Sequence, residues 1–365
     1  MGAGVTRLAG VFFGEVPSMI DHMPWRTGLF FTLLAVMSAG PAAWAHEEDA
    51  AVYPSIGTIE RVDPRFDALI PPGAVMEKLA EGFEWSEGPV WVADGGYLLF
   101  SDIPNNCVMK WKDGEGISVF LKPSGYTGEA ARGGEPGSNG LLLDSVGRLV
   151  LCQHGDRRIV RVEEDGSWTT LVDRYRGRRL NSPNDAVFKS NGDLYFTDPP
   201  YGLADKLERE RLGELGFCGV YRLGTDAVVT LLTDRMTRPN GIAFSPDEKT
   251  LYVAQSDPQQ PVWMAFDVRP DGTLGRERVF FDASVWKGQG LRGLPDGMTV
   301  DRQGNLFATG PGGVNVFAPD GTFLGRLNTG EATANCTFGN DGSVLYITAD
   351  MYLVRIKTHT KGLGF

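Results

Sequence analysis

LNSPNDAVFKSNGDLYFTDPPYG, residues 180–202, holds a Pro-Asn-Asp turn, an apolar run (Ala186, Val187, Phe188), a Ser-Asn-Gly-Asp turn and a second apolar run over 194–197. Two β-rich runs joined by a Gly/Asn turn predict a hairpin. The same pattern returns downstream as RPNGIAFSPDEKTLYVAQSD (238–257) and LPDGMTVDRQGNLFATG (294–310), and upstream as SEGPVWVADGGYLLFSD (86–102) and SNGLLLDSVGRLVLCQHG (138–155). A weaker sixth copy, ANCTFGNDGSVLYITAD, spans 334–350. Aligning the polar residue that opens each copy gives Glu87, Asn139, Asn184, Asn240, Asp296 and Asn335, with steps of 52, 45, 56, 56 and 39 residues. A period near 40–50 residues with a hairpin in every unit is the mark of propeller blades, because one unit cannot bury its own apolar face and must pack against the next. The fold expected is therefore an all-β six-bladed β-propeller with a central metal site. A β-sandwich would show strands every 8–12 residues without a returning motif.

Outside the repeats, residues 46–80 form a lead-in, with a candidate strand over 75–79 that would pair with the last blade and close the ring. Closure removes the exposed strand edges of an open array. The propeller domain proper is expected over 81–365. Outer strands are expected over 158–162, 220–223 and 314–317. Three insertions break the rhythm: 122–137, rich in Gly and Pro; 205–216, charged and helix-prone; and 284–293, carrying Trp286. Long loops of this kind act as lids or are solvated elaborations, and 122–137 and 284–293 directly precede channel residues.

The N-terminal 45 residues read as an export signal. From Met23 the chain has Arg26, an apolar core over 29–37 and a small-residue end at Ala43-Trp44-Ala45. This is the plan of a secretory signal peptide, with Met23 as the expected start and cleavage after Ala45. The apolar core is too short for a membrane anchor. The expected location is outside the cytoplasm, in the periplasm of a bacterium, with no membrane attachment after cleavage. A formal charge of −11 argues against nucleic acid, which demands a basic face. The four cysteines, Cys107, Cys152, Cys218 and Cys336, form no CxxC pair and read as buried small hydrophobes.

Equivalent positions in a closed ring converge on its axis. Glu87, Asn184, Asn240 and Asp296 then offer two carboxylates and two amide carbonyls, all hard oxygen donors. Such a set suits Ca²⁺ best, with Mg²⁺ or Mn²⁺ behind it and Zn²⁺ poorly served. Gly88, Gly241 and Gly297 follow three of these residues and let backbone pass close to the axis. A tight turn alone would explain Pro-Asn-Gly but not Glu87. Asn139, Tyr201 and Asn335 are candidate substrate contacts. His154, in CQHGDRR, and Asp198, in TDPPYG, stand at strand exits and are candidate general bases beside Asp296. GxSxG and HExxH are absent, which argues against serine hydrolase and zincin chemistry.

The ordered set EGP, PND, PNG and PDG, with CQHG…RR and FTDPPYG, resembles the SMP-30/gluconolactonase family over about 81–357, and most closely its bacterial gluconolactonase branch. The resemblance implies that Glu87, Asn240 and Asp296 bind a divalent metal, usually calcium, with Asn184 as a further or water-mediated ligand and Asp296 as the customary base. It implies a hydrolase that opens a sugar lactone to an aldonic acid. Where the animal branch carries a sugar-contacting Arg this chain has Ser182, and its Glu aligns near Gly202. Two other readings are a phosphotriester or fluorophosphate hydrolase on the same metal set, and a non-enzymatic binding propeller with a structural calcium.

Overall fold

The computed structural model describes residues 52–365. The export segment (1–45), including the Met23 start and the Ala45 cleavage point, lies outside them. Six antiparallel blade sheets follow one another along the chain, with a two-stranded ribbon (Arg174–Tyr175 and Arg178–Arg179) between blades 2 and 3, so the six-bladed all-β expectation holds. Blade 1 is built from Ser86–Val92, Tyr97–Asp102, Cys107–Lys112 and Gly116–Leu121, and blade 2 from Ser138–Leu143, Leu149–Gln153, Arg158–Val162 and Trp168–Val172. Blade 3 runs Ala186–Phe188, Leu194–Asp198, Gly219–Leu223, Val229–Thr233; blade 4 runs Pro239–Phe244, Thr250–Asp257, Gln260–Val268, Leu274–Asp282. Blade 5 comprises Met298–Val300, Leu306–Gly310, Gly313–Phe317 and Phe323–Asn328, and blade 6 begins with Asn335–Gly339, Val344–Ala349 and Tyr352–Lys357.

The fourth strand of blade 6 comes from the opposite end of the chain: Glu77–Glu81 pairs antiparallel with Tyr352–Lys357. An earlier segment, Thr58–Arg61, adds a fifth strand to blade 5 against Phe323–Asn328. Nothing in the repeat pattern announces this strand. Arg326, 4% exposed, donates to Glu60 at 2.8 Å and pins it.

Continuous buried runs, as in Leu149–Gln153, Leu194–Asp198 and Leu306–Gly310, mark strands covered on both faces, and the cores lie between blades. Leu99, Val108, Leu141 and Leu151 join blades 1 and 2; Cys152, Ile159, Phe196 and Tyr221 join 2 and 3. The ring closes apolarly as well, through Phe100 and Trp111 of blade 1 against Tyr346 and Leu353 of blade 6. Burying each such side chain stabilises by about 1.5–3 kcal/mol, so no blade is stable without its neighbours. All four cysteines are free and buried.

Polar joints repeat at the hub. In four blades a hydroxyl on the second strand donates to a carbonyl at the start of the next blade's inner strand. Ser101 reaches Asn139 O, Thr197 reaches Asn240 O and Thr309 reaches Ala334 O, each at 2.8 Å, and Ser256 reaches Pro295 O. In blade 2 Cys152 stands at that place, and the joint to blade 3 is Gly140 N–H to Asn184 O at 2.8 Å.

Candidate active site at the hub

One mouth of the central channel is a cavity of about 420 Å³ lined by Glu87, Asn139, Asn184, Asn240 and Asp296, together with Trp85, Glu135, Tyr201 and Ser256. Five of the six polar residues that open the repeats therefore meet in one place. Their approach depends on the glycines behind them. Gly88 has φ +48°, and a Cβ there would sit 2.1 Å from Asn139 O. A Cβ on Gly241 would meet Asp296 O at 2.3 Å, and one on Gly297 would meet the Asn335 side chain. No side chain fits between inner strands packed this closely.

Donor oxygens are left free. Asp296 Oδ1 and Asn139 Oδ1 are buried without a hydrogen-bond partner. Asn240 spends Nδ2 on Ser256 Oγ at 2.9 Å, which leaves Oδ1 as its free acceptor. Glu87 accepts from its neighbour, Gly88 N–H at 3.0 Å, through Oε2. Burial pushes both carboxyls, Glu87 and Asp296, well above the ordinary range, and at Asp296 the Glu87 charge adds to the effect. Two buried carboxylates and several amide oxygens without a compensating cation are an unstable arrangement for anions and a fitting one for a hard divalent ion. Among the described residues no three His, Cys, Asp or Glu side chains group as a metal site. Of the four ligands expected from the repeats only Glu87 and Asp296 are carboxylates, and amides must complete that set.

Three residues singled out in the sequence lie elsewhere. Asp198 is fully buried and its carboxylate accepts from the Asn181 and Ser182 backbone N–H groups, each at 2.8 Å. Burial pushes its carboxyl up to about 7 against those bonds. It staples the chain entering blade 3, as Asp102 staples Glu84 and Trp85 ahead of blade 1, and it does not reach the cavity. His154 is fully buried behind the wall, its Nδ1 2.8 Å from Glu135 Oε2. Asn335 turns to the opposite mouth, beside Asp185, because its Oδ1 accepts from Cys336 N–H at 2.8 Å. His154 and Asp198, read as candidate bases, and Asn335, read as a substrate contact, are not among the residues that line this cavity.

Tyr201 does line the cavity, with its hydroxyl buried and unpartnered; burial and the Asp296 charge raise its pKa. Ser182, standing where a sugar-contacting Arg occurs in the animal branch, is buried, donates to Pro199 O at 2.6 Å and accepts from Gly202 N–H at 2.9 Å. It shapes the turn that presents Tyr201 and is itself shut off from the cavity.

Of the insertions, 122–137 and 284–293 each send residues to the cavity, through Glu135 and Gly293, whereas the helix Lys206–Arg211 does not. The 122–137 loop is bolted down. Asn106 Oδ1 accepts from the N–H groups of Ser124, Gly125 and Tyr126 at 2.8–3.2 Å, Gln153 Nε2 donates to Ser124 O, and Arg132 donates to Gly202 O. Glu135, which that loop carries, is invisible to the repeat alignment because it belongs to no repeat.

A family model described as the SMP-30/gluconolactonase/LRE-like region matches residues 85–350, and the chain belongs to that family. It is 43% identical over 320 residues to a gluconolactonase of Zymomonas mobilis, spanning 84% of this chain and 88% of that one. A gluconolactonase of Xanthomonas campestris has a solved structure that superposes with a TM-score of 0.72 at 34% identity, over 85% of this chain and 98% of that one. The fold extends to a regucalcin of Agrobacterium tumefaciens, described as calcium-binding, at TM-score 0.60 and 19% identity over 86% and 97% of the two chains.

Proposed function

We propose that the chain opens sugar lactones to aldonic acids at the hub cavity, using a divalent cation, with Ca²⁺ the best match. The chain is a lactonase by its relationship to the two gluconolactonases. The observation that carries the metal reading is the convergence of Glu87, Asn184, Asn240 and Asp296 on one cavity, where the buried Asp296 Oδ1 has no hydrogen-bond partner. Those four would hold the ion, which when bound supplies Lewis-acid polarisation of an ester carbonyl.

The chain's own residues supply the rest. Asn139 and Tyr201 offer a free acceptor and a free hydroxyl for the hydroxyls of a sugar ring. Trp85 and Leu294 give the cavity apolar surface for the ring carbons, and the fixed 122–137 loop contributes Glu135 to its wall. Asp296 serves as a ligand, and a carboxylate given to a cation is a poor proton acceptor. Export to the periplasm remains the reading of residues 23–45.

The test is a pH-stat assay of purified protein on glucono-1,5-lactone, with a fluorophosphate in parallel. Acid release from the lactone alone is expected. Turnover of the fluorophosphate alone would favour phosphotriester chemistry, and turnover of neither would favour a binding propeller.

A further inference from the structure

The cavity has a third carboxylate that belongs to no repeat. Glu135 lines it alongside Glu87 and Asp296, and its side chain is 39% exposed. Its Oε2 lies 2.8 Å from Nδ1 of His154, an imidazole with no exposure at all. With an N–H on Nδ1, His154 donates and the Glu135 oxygen accepts. This bond fixes one oxygen of Glu135, and the loop around it is fixed too: Arg132 grips Glu135 O and Gly202 O, and Gly155, next to His154, is packed against Pro136 O, 2.3 Å from where its Cβ would stand. A carboxylate held at this precision on a long loop is built, not incidental.

Resting on the lactonase reading above, we infer that Glu135 is the general base and acid of lactone opening, and that His154 is the positioning residue that holds it. Other groups are spoken for. Asp198 is spent on backbone N–H groups, His154 is walled off, Tyr201 keeps its proton, and Asp296 is a metal ligand. In the step, Glu135 takes a proton from water as the water oxygen bonds to the lactone carbonyl carbon and the carbonyl π pair moves to its oxygen. When the tetrahedral adduct collapses, the ring C–O bond breaks and the ring oxygen takes the same proton back from Glu135. Lactone plus water gives the hydroxy acid, and the enzyme ends as it began.

Glu135→Gln is expected to lower kcat by about 10²–10⁴-fold, the usual worth of a positioned base, with KM within about threefold and calcium binding unchanged. In Glu135→Ala, added formate should restore part of the rate. His154→Asn should lower kcat by about tenfold in the native background and have no further effect in the Glu135→Gln background, because a positioning residue has nothing left to position. A merely structural histidine would cost the same in both. Active wild type with Glu135→Gln within threefold in kcat, or with a loss confined to KM, overturns the inference. Wild type that opens no aldonolactone overturns the lactonase reading instead.

Discussion

Asn240 Nδ2 donates to Ser256 Oγ at 2.9 Å, and that single bond decides which atom of the amide is left free. The serine sits on the second strand of the same blade and also donates to Pro295 O, directly before Asp296. One hydroxyl thus orients one proposed ligand and anchors the backbone of another. Removing it as Ser256→Ala frees the amide to flip and slackens the joint between blades 4 and 5. A lost hydrogen bond of this kind costs about 0.5–1.5 kcal/mol, so calcium affinity should fall roughly three- to tenfold. Calorimetric titration of the variant checks this, and Ser256→Thr should keep most of the affinity.

Gly88→Ala should be among the most damaging single changes in the chain. It asks an L-residue for φ +48° and sets a Cβ 2.1 Å from Asn139 O, where the backbone of the next blade cannot retreat without opening the hub. Gly147, with φ +85° and nothing within 4 Å of where a Cβ would stand, isolates the conformational part. Gly147→Ala should cost about 1 kcal/mol and Gly88→Ala more than about 3 kcal/mol, the difference being steric. Urea unfolding of the three proteins at one temperature gives both numbers.

These two sites also show what the sequence revealed and what it hid. The polar openers and the glycines after them were legible because ring closure forces equivalent positions to one axis and leaves no room for a Cβ. The hydroxyls Ser101, Thr197, Ser256 and Thr309 did not stand out as inter-blade joints, since a joint needs the neighbouring strand to be in place. Asn335 fits the repeat by its position and fails by its rotation, turning to the far mouth to bond Cys336 N–H. Asp198 and His154 looked catalytic because they end strands; the strands end beneath the wall. Glu135 was hidden, because a loop between repeats has no register to betray it.

Metal removal should expose the charge buried at the hub. Burial raises Asp185 from 3.8 to about 6, and Glu87 and Asp296 are raised as well. Groups raised in the folded state bind more protons folded than unfolded, so stability is lost as pH rises from about 4 through the folded values. Metal-free protein should therefore have its highest Tm near pH 4–5 and lose Tm toward pH 8. Calcium should restore Tm more at pH 8 than at pH 5, where protons compete for the same oxygens. Scanning calorimetry across that range, with and without calcium, reads both trends.

Calcium titration of chelator-stripped protein by calorimetry, beside Asp296→Ala, tests the hub most directly. Wild type should bind one ion per chain tightly, and Asp296→Ala should bind at least about a hundredfold more weakly while remaining folded, as expected for loss of a charged ligand among few. Wild type that takes up no calcium, magnesium or manganese, or an Asp296→Ala protein that binds as tightly as wild type, would contradict a cation held at the hub by these residues.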